Sequence, residues 1–131
     1  MTNLEQNVIF RVLEERYCVA KLPSDAPIPG PPDKATFWSL TIADEEISVV
    51  CPESEAPPGA EVERNWRCLK VQGPLEFSLK GVLVSLLAPL AEANVAVFAT
   101  STYDTDYILV KQYHLASALQ ALEAAGHRLM A

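Results

Sequence analysis

Apolar and polar positions change their spacing several times along the chain, and each change marks an element. Val8 to Leu13 reads as a short strand, and Tyr17 to Leu22 as a second, with Tyr17, Val19 and Lys21 alternating against Cys18, Ala20 and Leu22. Five prolines and one glycine between Pro23 and Pro32 forbid a long helix and mark a stiff, extended connection. Phe37 to Ile42 and Ile47 to Cys51 are β-type runs on either side of the polar tip Ala43, Asp44, Glu45 and Glu46, which predicts a hairpin. Pro52, Pro57, Pro58 and Gly59 then set a boundary near residue 60.

Trp66 to Val71 reads as a strand that continues through Leu75 to Leu79 beyond a kink at Gly73 and Pro74. After Gly81 the period lengthens. Leu83, Leu86, Leu87 and Leu90 stand at i, i+3, i+4 and i+7, which predicts a helix from about Val82 to Ala93. Pro89 lies inside it and should bend the helix or leave the Ser85 carbonyl without its backbone partner. Val95 to Thr100 and Tyr107 to Val110 are strands joined by a turn at Thr102 to Thr105. Leu115, Ala118, Leu119 and Leu122 repeat the helical spacing, and Gly126 stands where a left-handed C′ residue ends a helix.

From Trp66 onward the order is strand, helix, strand, turn, strand, helix. That is a split βαβ pattern: the α+β class, with a ferredoxin-like βαββαβ unit, an antiparallel sheet and helices on one face. No closing strand is visible after the second helix, and the first half of the chain is its expected source. Residues 17 to 51 carry a faint copy of the plan in which the Pro-rich segment replaces the first helix. The expected organisation is two tandem units, a degenerate one over 1–60 and a nearly complete one over 61–131.

Composition narrows the function. Among 131 residues, half are apolar and 21% charged, so a packed core is expected. Seventeen acids against ten scattered bases give a net charge of −7, which argues against nucleic acid, since such binding needs clustered cations. The apolar run from Val82 to Leu90 is too short to cross a membrane, and the N-terminus lacks a basic segment followed by an apolar one. Cytoplasmic residence is therefore the expectation. Cys18, Cys51 and Cys68 fit neither a disulfide framework nor a zinc site and read as small buried residues on strands. No nucleophile, phosphate loop or carboxylate pair stands in a catalytic frame, so no enzyme and no cofactor are expected. His114 and His127 read as surface residues flanking the second helix. Trp38 and Trp66 read as packing between the units rather than stacking a ligand.

The remaining chemistry gathers at two places. Lys80, Gly81 and Val82 open a helix whose first amides lack intrahelical partners and suit a ligand carboxylate. Ser101, Thr102, Tyr103, Asp104, Thr105 and Asp106 surround a hairpin turn, and their hydroxyls and carboxylates suit an ammonium or guanidinium group. Plain structural readings stand beside these: Asp104 is an ordinary turn residue, Gly81 a helix-entry glycine and Lys80 a solvated charge. Asp104 and Asp106 form a D-x-D without a nearby histidine or phosphate loop, so no metal is expected.

The segment from Gly81 through Pro89-Leu90-Ala91-Glu92-Ala93-Asn94-Val95, followed by Ser101-Thr102-Tyr103-Asp104-Thr105-Asp106-Tyr107-Ile108-Leu109-Val110, resembles the ACT domains of the group that includes the CASTOR-type cytosolic arginine sensors and small bacterial proteins. The resemblance runs over residues 66 to 126 and more faintly over 8 to 52. It implies a pair of ACT units with an amino acid or similar metabolite recognised between them. It also implies that the loop from Glu76 to Val82, with Thr102, Tyr103 and Asp106, matches ligand-contacting positions. Leu79 stands where the sensors carry an acid, so the site transfers and arginine as its ligand does not. Two functions are open: a sensor whose ligand shifts an equilibrium, or an interaction module that docks a protein target through the same surface. An open sheet edge makes a homodimer an expectation under both.

Overall fold

The computed structural model describes residues 7–75 and 81–130. Its strands are β1 (Ile9–Pro23), β2 (Ser39–Ile42), β3 (Glu46–Pro52), β4 (Glu61–Val71), β5 (Val97–Ser101), β6 (Asp106–Lys111) and β7 (Arg128–Leu129). Its helices are α1 (Val82–Glu92) and α2 (Leu115–Ala124). The chain forms two compact units, Met1–Leu13 with Arg67–Ala131, and Glu14–Trp66. By compactness the division falls inside β1 and β4.

In the first of these units β1 neighbours β4, β4 neighbours β6 and β6 neighbours β5, while β7 runs parallel to β1 at Ile9 and Phe10. A closing strand therefore exists, contrary to expectation, but it spans only two residues, too few to leave a periodic trace. It does not lie against β4, because the start of β1 stands between them, with the Gln72 N–H donating to the Ile9 carbonyl at 2.8 Å. Alternate residues of the strands face the helices. Phe10, Leu69, Val71, Ile108 and Val110 form one core with Val82, Leu86, Leu90, Ala118 and Leu122, so α1 and α2 cover the same face. This is an α+β fold with an antiparallel sheet and two helices.

Both helices stop for the same reason. Asn94 (φ 61°) and Gly126 (φ 101°) take the left-handed conformation at C′. The next residues, Val95 and His127, donate their amides back to Leu90 and Leu122 at 2.9 and 3.0 Å, closing six-to-one bonds over the helix ends. Pro89 sits within α1 and deprives Ser85 O of its helical donor. His127 supplies the replacement. Its Nε2 lies 2.8 Å from Ser85 O, and its Nδ1 accepts the Val8 N–H at 3.1 Å. Because a backbone amide can only donate, Nδ1 is the acceptor and Nε2 carries the proton. His127 is thus a buried structural residue, not a surface one, while His114 is half-buried at the start of α2 and meets Tyr113 edge-on at 4.7 Å.

The unit Glu14–Trp66 holds the expected hairpin. β2 and β3 are antiparallel with Ile42 opposite Ile47, and β3 pairs with β1 from Tyr17 opposite Pro52 to Pro23 opposite Glu46. Its core gathers Cys18, Ala20, Leu22, Ile47, Val49 and Cys51, with Trp38 packed against it, and Trp66 is buried. Two separate N-terminal strands were expected where β1 is continuous, since Glu14 and Arg16 occupy its exposed positions without interrupting the pleat. β4 likewise starts at Glu61. Asn65 takes a left-handed turn there (φ 75°), with its backbone amide donating to Glu53 Oε2 at 2.6 Å and its side-chain Oδ1 accepting from Arg16 at 3.0 Å. Residues 24–38 contain no helix. Among the described residues no helix is long and apolar enough to cross a membrane.

Candidate functional site

The β5–β6 hairpin is held tightly at its tip. Ser101 stands opposite Asp106 in the ladder, and the Thr102 amide donates to Thr105 O at 2.8 Å. Thr102 Oγ1 reaches Thr105 N at 3.3 Å, an ordinary hydroxyl turn. A second set of bonds pins this tip to the exit of β4. The buried Thr105 hydroxyl donates to Val71 O at 2.7 Å, and the Leu75 amide donates to Asp104 O at 2.6 Å. Gly73 makes the approach possible, since a Cβ there would stand 2.9 Å from Asp104 O and 3.1 Å from Thr105 Cβ.

Facing the tip is the start of α1. Gly81 caps the helix in a left-handed conformation (φ 80°) with no side-chain hydrogen bond, and the first intrahelical bond runs from the Ser85 amide to Gly81 O at 2.8 Å. The amides of Val82, Leu83 and Val84 precede any helical acceptor, so positive partial charge collects there.

Both stretches line one cleft of about 310 Å³, within the size range of small-ligand sites. Of the eight residues expected to bind a ligand, Gly81, Val82, Ser101, Thr102, Tyr103, Asp104 and Asp106 all border it. Lys80 lies outside the described residues. Every lining residue belongs to the unit that contains both helices. Acidic and hydroxyl groups stand on the hairpin side, where the Ser101 hydroxyl donates to Asp106 Oδ1. Tyr103 is 80% exposed at the rim.

Leu75 and Leu83 also line the cleft and escaped the sequence reading, since an apolar wall residue carries no chemical mark of its own. Thr105 was expected to offer its hydroxyl to a ligand. The structure gives that hydroxyl to Val71 O instead, so Thr105 shapes the cleft by fixing the tip. Thr105→Val keeps the shape and leaves a buried carbonyl without its donor. It is expected to lower stability by about 1–3 kcal/mol, read as a lower urea midpoint with unchanged slope. An unchanged midpoint would detach the tip from β4. Among the described residues no three His, Cys, Asp or Glu side chains converge as a metal site would require.

Comparison with known proteins gives a consistent picture. A family model described as the ACT domain matches residues 61–124, and a model of an N-terminal domain matches residues 15–58. The cytosolic arginine sensor for mTORC1 subunit 1 of Bos taurus is 33% identical over 100 residues, which cover 68% of this chain and 30% of the sensor. The matched region thus spans less than a third of that relative. A crystal structure of a protein from Agrobacterium tumefaciens is similar at 32% identity and a TM-score of 0.88, over 96% of this chain and 94% of that one. The regulatory subunit of aspartate kinase from Thermus flavus shares the fold at 9% identity and a TM-score of 0.64, over 92% and 99% of the two chains.

Proposed function

The chain belongs to the ACT domain family, of the same type as the cytosolic arginine sensors, and on that premise we propose that it is a regulatory module that senses an amino acid and catalyses no reaction. The observation that carries this reading is the convergence of the α1 entry and the β5–β6 tip on one cleft. An amino acid is a short dipole with an anionic and a cationic end. Its carboxylate fits the uncapped amides after Gly81, and its ammonium fits Asp106 with the hydroxyls of Ser101 and Thr102. The likeness to an arginine sensor favours an amino acid as the class of ligand. Leu79 in place of an acid argues for one other than arginine.

In this reading the ligand sits between ACT units, the cleft forming one wall and a unit of a second copy the other. The active form is then a homodimer, cytoplasmic like the sensors it resembles and acting on a protein target. Residues 1–60 are a second ACT-like unit that has lost its helices, followed by a nearly complete one over 61–131. Ligand occupancy changes the state of the protein only as far as the two arrangements differ in affinity.

A thermal-shift panel of the twenty amino acids tests the proposal. One amino acid, or a chemically related few, is expected to raise the melting midpoint, with about 2.7 kcal/mol of stabilisation at 100 times the dissociation constant. Light scattering with and without that ligand then reads the dimer. A panel in which no amino acid moves the midpoint replaces the sensor with the protein-docking module.

A further inference from the structure

Two of the three free thiols lie together in the Glu14–Trp66 unit, apart from the cleft. Cys18 on β1 and Cys51 on β3 are directly opposed in the antiparallel ladder, and their sulfurs are 3.6 Å apart. Opposed residues in such a ladder have Cα atoms about 4.5–5.5 Å apart, inside the roughly 4.4–6.8 Å span that a disulfide bridges. Closing the sulfurs to about 2.05 Å therefore needs side-chain rotation and little movement of the backbone.

We propose that Cys18 and Cys51 are a redox-modification site that a hydroperoxide converts into a reversible intramolecular disulfide. The hydrogen bond between Cys18 and Cys51 holds the Cys18 thiol below its usual range, and Arg64 adds to this against the opposing effect of burial. The same bond, with burial, pushes Cys51 up. These directions favour Cys18 over Cys51 as the attacking sulfur. The Cys18 thiolate attacks the peroxide, forming an S–O bond as the O–O bond breaks, and the departing alkoxide or hydroxide takes up a proton. The Cys51 sulfur then attacks the sulfenic sulfur, an S–S bond replaces the S–O bond, and the hydroxide leaves as water with the Cys51 proton. The two thiols lose two electrons and the peroxide gains them.

Both sulfurs are buried, so the route to them matters. The pairing of β2 with β3 ends at Ser39 opposite Val50, and Cys51 therefore lies just past the strand that flanks β3. Beyond Pro52 the chain makes a single 3₁₀ turn, Glu53–Glu55, whose Glu55 O accepts from the Cys51 thiol at 3.7 Å. Ala56 and Ala60, from the loop after that turn, pack against the cysteine cluster. Trp38, Leu40 and Val62 cover the same cluster, so the route proposed for a peroxide is the loop side, where the packed side chains are the small ones.

The test treats the folded protein with hydrogen peroxide, blocks the remaining thiols with an alkylating agent and maps the cysteines by mass spectrometry. One blocked thiol, Cys68, and a linked Cys18–Cys51 peptide pair are expected in place of three blocked thiols, and dithiothreitol should restore all three. Cys51→Ser should stop Cys18 at the sulfenic acid, trapped by dimedone, with far-UV circular dichroism confirming the fold. The mapping of the unaltered protein stands even if that variant does not fold. Retention of all three thiols at a peroxide level that oxidises free cysteine, oxidation beyond the sulfenic acid without the bridge, or a bridge through Cys68 would overturn the proposal.

Discussion

Replacing His127 with alanine is expected to cost about 2–4 kcal/mol, a large share of the 5–15 kcal/mol that holds a typical domain together. The imidazole serves two part-buried backbone groups at once, donating to Ser85 O at 2.8 Å and accepting the Val8 amide at 3.1 Å. Pro89 removes the helical amide that would reach Ser85 O, and alanine offers nothing to the Val8 amide. Urea unfolding followed by circular dichroism gives the cost. A double-mutant cycle gives the cause. Pro89→Ala restores the helical donor for Ser85 O, so His127→Ala should cost about 1 kcal/mol less in that background. Equal costs with and without Pro89 would show that the histidine and the helix proline are unrelated.

The second large effect concerns the cleft. Asp106→Asn keeps the size of the side chain and an acceptor for the Ser101 hydroxyl, and removes only the negative charge at the hairpin side. For whichever amino acid stabilises the parent protein, affinity should fall by roughly 10- to 100-fold, the equivalent of about 1.5–3 kcal/mol for a hydrogen bond to a charged group. Asp106 is half-buried at the first position of β6, so the melting midpoint without ligand should move little. Calorimetric titration checks both statements. Undiminished affinity in the variant would place the ligand elsewhere, even with sensing itself intact.

The cleft was legible at an unusual level of detail because its two edges are local features. A glycine before a helical period and a hydroxyl- and acid-rich turn between two strands can each be recognised within ten residues. Their meeting required no more than the strand, helix, strand, strand order from Trp66. The fate of Thr105 was not legible, since its partner Val71 is 34 residues away and any turn threonine has local bonds to offer. The same holds for β7 and for the continuity of β1. Two residues carry no period, and charged residues at Glu14 and Arg16 mimic a break when the pleat is not visible.

Pro89 marks the line between the two kinds of information most clearly. Composition and period by themselves predicted the hairpins, both helices, the stop of the second at Gly126, the α+β class and the effect of Pro89 on the Ser85 carbonyl, because each depends on neighbours a few positions apart. Tertiary structure alone decided that His127 would answer that carbonyl, that Val8 would join them from 119 residues away, and that Cys18 and Cys51 would face each other. Such partners are chosen by strand order and register, which bring together positions with no shared spacing, so nothing in the local pattern could announce them.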